Sequence, residues 1–257
     1  MTFLQGVLLF VAAILGGTLN AVAGGGSFFT FPALIFTGVD SITANATSTI
    51  ALLPGSIASA GAYRNDLAGQ QRGLMIVLLG TSLIGGVLGA ILLLRTPEST
   101  FVNLIPYLLL GATLLFALSP YITARLRLRA IEKTTRISTM TLIIFAFVQF
   151  IIAIYGGYFG GGIGILMLAA LAFMGMDDIN KMNAVKTLLT SAINGAGAIT
   201  FILEGRVLWL QAVVMIVGAI LGGYGGAYYA RKIEQRWVRL FVIITGVVLT
   251  IYFFVHH

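Results

Sequence analysis

The sequence predicts an all-α polytopic membrane protein: two inverted repeats of about five helical segments each, eight to ten segments in total. Three observations predict it. First, of 257 residues 59% are hydrophobic and only 9% charged, whereas a soluble domain carries roughly a quarter charged residues. So much apolar surface needs a bilayer as its solvent. Second, residues 1–39 and 138–176 carry no charged side chain, and each stretch is about twice the ~20 residues one spanning helix needs. Third, AGGGSFFTFPALIFTGVDSITANATST at 23–49 has a counterpart in FGGGIGILMLAALAFMGMDDINKMNAVKT at 159–187.

Apolar runs lie at 3–38, 42–62, 73–94, 101–122, 138–176, 182–203, 207–230 and 238–255. Most fit one crossing. The two long runs are interrupted by Gly24–Gly26 and by Gly160–Gly162. Glycine costs roughly 1 kcal/mol relative to Ala inside a helix, so three in a row favour a break. Each long run is therefore either one kinked helix, giving eight spans, or a tight pair, giving ten segments. Loop charge separates the two. Eight alternating spans split the loop Lys and Arg eight against six. Ten place twelve on one side and leave only Arg95 and Arg206 on the other. That asymmetry favours ten. It puts the basic loops 123–136 and 230–239 in the cytoplasm. Ser27 to Gly38 spans about 18 Å as helix, too short to cross alone. The apolar start, MTFLQGVLLFVAAILGGTLNA, lacks a basic leader and is read as a retained span rather than a cleaved signal.

The two quoted stretches align with two single-residue insertions. Gly24–Gly26 match Gly160–Gly162, Gly38 matches Gly175, Asp40 matches Asp177 and Ile42 matches Ile179. Asn45, Ala46 and Thr49 match Asn183, Ala184 and Thr187. GGVLGA at 85–90 resembles GGYGGA at 222–227. Residues 1–122 and 137–257 are accordingly read as membrane repeats joined by the basic linker 123–136. With five segments each, the second enters the membrane from the opposite face, the plan of many secondary transporters.

Composition also excludes functions. There is no cysteine, and the only histidines are His256 and His257, either native or the remnant of a purification tag. Histidine-dependent triads and zinc sites inside the chain are thereby removed. No Gly-x-x-x-x-Gly-Lys-Ser/Thr loop is present, so no Walker-type ATP hydrolysis is expected. The net charge of +7 sits between apolar runs, as in cytoplasmic loops, and does not indicate nucleic acid.

Lys186 stands where the first repeat has Ser48. A lysine within a membrane segment costs about 2.5–3.5 kcal/mol on insertion scales and normally faces a cavity or a partner. It either supplies charge for an anion or snorkels from a helix end. Asn45, Thr47, Ser48 and Thr49 form a polar run, with Asn183, Thr187, Thr190, Ser191 and Asn194 as its counterpart. Such groups either replace water around an oxyanion or join membrane helices. The glycine triplets either permit close packing or break helices, with Ser27 or Ile163 opening a second half-helix whose N–H groups attract anions. Asp40 and Asp177 read as N-caps, with proton coupling as the alternative.

The paired glycine breaks, the Asn45-Ala-Thr-Ser-Thr49 run and the later Asn183-Ala-Val-Lys-Thr187 resemble the TauE/SafE sulfite-exporter family, also called the toluene-sulfonate uptake permeases. The resemblance covers residues 5–253. It implies a bacterial or archaeal inner-membrane permease without ATPase, acting on small anions such as sulfite, thiosulfate, sulfonates or sulfoacetate.

The combined expectation is a secondary transporter for a small anion, working by alternating access. Its site would lie between Asn45–Thr49 and Asn183–Thr187, flanked by Gly24, Gly25, Gly26, Gly160, Gly161 and Gly162. Lys186 would supply charge, and Asn45 and Asn183 would orient oxygens. No cofactor or metal is expected beyond a coupling H+ or Na+. The expected partners are the anion and membrane lipid, and a homodimer is compatible with this plan. The alternatives are an anion channel, an intramembrane enzyme using Ser191 with Lys186, and a structural subunit of a larger complex.

Overall fold

The computed structural model describes residues 1–22, 24–67, 70–128, 139–176, 178–229 and 235–256. Among these, every regular element is a helix: α1 (Phe3–Val22), α2 (Ser27–Phe36), α3 (Ser41–Ala62), α4 (Arg72–Arg95), α5 (Glu98–Leu128), α6 (Thr139–Tyr158), α7 (Ile163–Phe173), α8 (Ile179–Leu203), α9 (Trp209–Tyr229) and α10 (Gln235–His256). Both long uncharged stretches break at their glycines, which is the ten-segment alternative. Ser27 and Ile163 open the second half-helices, as expected. With ten and eleven residues, α2 and α7 reach about 15–17 Å, roughly half the hydrocarbon thickness. Among the described residues, segments of α1, α4, α5, α8 and α9 are each long and apolar enough to cross a membrane.

The elements end where local chemistry dictates. Gly38 and Gly175 follow α2 and α7 at φ 87° and 86°, the left-handed region that favours glycine. Gly38 N–H donates to Ile35 C=O and Val39 N–H to Leu34 C=O; Gly175 N–H donates to Ala172 C=O and Met176 N–H to Leu171 C=O. These are matching Schellman stops. Asp40 caps α3 by accepting from Thr43 N–H at 3.0 Å. Asp177 lies outside the described residues. Asp178 caps α8, accepting from Asn180 and Lys181 N–H. The linker's first residues, 123–128, continue α5; 129–136 lie outside the described residues.

The helices pack in exchanged pairs. α1 lies on α9 as α6 lies on α4. α3 lies on α9 as α8 lies on α4, and α5 touches α7 as α10 touches α2. α3–α8 and α5–α10 are their own counterparts. The matched glycine motifs sit at the matched crossings. A Cβ on Gly85 would meet Ala153 and Phe150 of α6, and one on Gly222 would meet Ile14 of α1. Gly86 faces Ile193 of α8, and Gly223 faces Gly55 of α3. With no hydrophobic effect between helices in lipid, close approach of this kind is what holds them. Large apolar side chains such as Ile76 and Leu92 on α4, and Leu210 and Leu221 on α9, are exposed, as a lipid-facing surface requires.

Candidate functional site

The site begins with the two breaks, which meet each other. Gly24 N–H closes α1 onto Leu19 C=O at 3.0 Å, and Gly160 N–H closes α6 onto Tyr155 C=O at 3.2 Å. Gly24, Gly25, Gly160 and Gly162 all have positive φ. A Cβ on Gly24 would enter the backbone of Gly164; one on Gly25 would lie 3.0 Å from the Phe116 ring and 3.5 Å from Gly162 N. One on Gly160 would lie 3.6 Å from Ser27 Oγ. Gly26 packs on Gly16, and Gly161 lies under the Phe159 ring. Side-chain-free backbone thus brings both half-helix junctions together inside the protein.

The polar runs of α3 and α8 approach these junctions from either side. Lys186 is 1% exposed. Its Nζ donates to Asn183 Oδ1 at 3.0 Å and to Ala21 C=O at 3.3 Å. Asn183 lies three residues earlier, on the same helix face. Ala21 belongs to the last turn of α1, whose carbonyls lack helical partners and carry the negative end of the helix dipole. Lys186 therefore does not snorkel. It is held inside, and two of its three N–H donors are engaged by neutral oxygens.

Asn45, on α3, is the counterpart of Asn183. It is also 1% exposed, and its Nδ2 donates to Tyr158 C=O, the last residue of α6, at 2.9 Å. Its Oδ1 is buried and has no hydrogen-bond partner among the described residues. An unmatched buried acceptor costs about 1–3 kcal/mol. Ser48, in the position equivalent to Lys186, shares a 2.6 Å hydrogen bond with Thr30 Oγ1 of α2.

The other hydroxyls are turned to structural partners. Thr49 Oγ1 donates to Asn45 C=O and Thr187 Oγ1 to Asn183 C=O, both within their own helix. Thr47 Oγ1 accepts from Leu208 N–H. Ser191 Oγ donates to Thr187 C=O, and its hydrogen bonds do not include Lys186. Two features were missed in the sequence. Asn20 in α1 donates to Ser56 Oγ at 2.6 Å and accepts weakly from Gly25 N–H. Tyr155 donates its phenol proton to Gly161 C=O at 2.6 Å. Their nearness to the breaks was the available signal.

The profile of the family described as "Sulfite exporter TauE/SafE" matches residues 9–253. The chain belongs to the TauE/SafE family. This TauE/SafE chain is 30% identical to "Probable membrane transporter protein YfcA" of Escherichia coli strain K12, over 96% of its own length and 88% of that protein. It is 28% identical to a "Probable membrane transporter protein" of Haemophilus influenzae, over 95% and 92%. It is 27% identical to "Probable membrane transporter protein ORF9" of a Sinorhizobium species, over 95% and 90%. No solved structure matches. Family, relatives and apolar helices agree on a multi-pass membrane transporter.

Proposed function

We propose that this chain is a secondary transporter of small anions, sulfur-containing oxyanions or organosulfonates such as sulfite, thiosulfate or sulfoacetate, in a bacterial or archaeal inner membrane. The observation that carries this reading is Lys186. It is a lysine at 1% exposure whose hydrogen bonds, among the described residues, go only to neutral acceptors. A buried cation with a donor to spare, beside two broken helices, suits a singly or doubly charged oxyanion. The N-termini of α2 and α7 add backbone N–H donors. Alternating access would move one half against the other around the meeting point of the breaks. The exchanged helix pairings support two equivalent halves, and an odd number of segments per half supports their inversion.

The substrate test is accelerated exchange in proteoliposomes. Vesicles preloaded with unlabelled thiosulfate should take up labelled sulfite, thiosulfate or a small sulfonate faster than empty vesicles do. Uptake without such trans-stimulation would indicate a channel. Uptake of no anion would remove the substrate class. Inversion is tested by single cysteines at Ser99, Thr134 and Gln235, since the sequence has no native one. An impermeant thiol reagent should label only position 99 from outside; labelling at 134 and not at 235 contradicts the inverted plan.

A further inference from the structure

We propose that the α3–α6 junction is a binding site for a monovalent cation, Na+, formed around the unpartnered Asn45 Oδ1. The two equivalent asparagines meet different surroundings. On α8, the asparagine oxygen meets a lysine nitrogen: Asn183 Oδ1 accepts from Lys186 Nζ, which also donates to the carbonyl end of α1 at Ala21. On α3, the equivalent asparagine is fixed at the carbonyl end of α6 by its bond to Tyr158 C=O. There the oxygen is buried and lacks a partner among the described residues, and the residue in the lysine's place is Ser48. One segment carries a lysine Nζ against that oxygen and a helix carbonyl end; the other has the same oxygen and a matching helix end with no such group.

The donor chemistry selects the ion. Amide, hydroxyl and backbone carbonyl oxygens are hard ligands, and broken-helix carbonyl ends bind Na+ in membrane transporters. Among the described residues no group of three Asp, Glu, His or Cys side chains gathers anywhere, so the carboxylates a divalent ion takes are missing. A proton is no substitute. Asn45, Ser48 and Thr30 do not titrate near neutrality, and the neighbouring Tyr155 and Tyr158 phenols donate to Gly161 C=O and Thr96 Oγ1. Ser48, three residues after Asn45, and Thr30, which bond each other at 2.6 Å, are the candidates to complete the shell with the Tyr158 carbonyl to which Asn45 is already tied. The site needs no substrate, so it stands or falls separately from the anion reading.

The experiment is thermal unfolding of the purified protein in detergent, in NaCl, LiCl, KCl or choline chloride at constant ionic strength, paired with equilibrium binding of radioactive Na+. The expected result is a saturable upward shift with Na+ that K+ and choline do not reproduce, and about one Na+ bound per chain. Asn45→Ala should abolish both. Ser48→Lys, which tethers an ammonium where the ion would sit, should remove the Na+ response. Equal melting in all four salts with no bound Na+ overturns the proposal, as does an undiminished Na+ response in Asn45→Ala. If neither variant folds, the wild-type salt series and binding stoichiometry still decide.

Discussion

The α3 segment Asn45–Thr49 and the α8 segment Asn183–Thr187 share a framework and differ at one side chain. Each follows an aspartate cap, at Asp40 and Asp178. Each turns its threonine hydroxyl back onto the asparagine carbonyl of its own helix. Each sets its asparagine near the carbonyl end of a broken helix in the other half. At the fourth position, Lys186 introduces a buried amine and Ser48 binds a neighbouring hydroxyl. The difference teaches that one framework can present two unlike groups at the same position, an amine on α8 and a hydroxyl on α3.

The glycine breaks offer the largest effect with which to sharpen this. Left-handed backbone costs a residue with a Cβ about 1–2 kcal/mol. Gly24→Ala adds a collision with the Gly164 backbone, so it should abolish recovery of folded protein in size-exclusion assays. Gly38→Ala meets the same sign of φ in open space and should cost only the ~1–2 kcal/mol of strain, read as a lowered melting temperature. Equal effects would mean that the two breaks do not depend on touching.

The caps come next. Asp178→Ala should lower stability by about 1 kcal/mol. Asp40→Ala should lower it less, because Glu98 continues to accept from Ser41 and Ile42 N–H at the start of α3. A larger loss in Asp40→Ala would contradict that sharing. The smallest effect is expected from Thr49→Val and Thr187→Val. Their hydroxyl protons serve their own helices, so transport should change by less than about threefold, well under the 1.4 kcal/mol of a tenfold change. A tenfold loss in either would make that hydroxyl a ligand.

Much of this was legible in the sequence because membrane constraints leave strong marks. Long uncharged stretches, glycine triplets and loop charge located the ten helices and both breaks. Repetition of Asn-Ala-x-x-Thr pointed to α3 and α8, which pack on each other. Two things were not legible. The aspartate that caps α8, Asp178, stands one residue after the one that aligns with Asp40. The partners of the polar run were hidden as well: Lys186 reaches Ala21 and Asn45 reaches Tyr158 across more than a hundred residues. Nothing local announces that Thr47 serves Leu208 while Ser48 serves Thr30.

The most direct measurement is initial uptake of labelled thiosulfate and sulfite by proteoliposomes carrying equal amounts of folded wild type and Lys186→Ala. A charge-assisted hydrogen bond of about 1.5–3 kcal/mol predicts a loss of roughly 10- to 100-fold or more in the variant. Unchanged uptake with intact folding would contradict the account, and would leave Lys186 only the task of closing the end of α1.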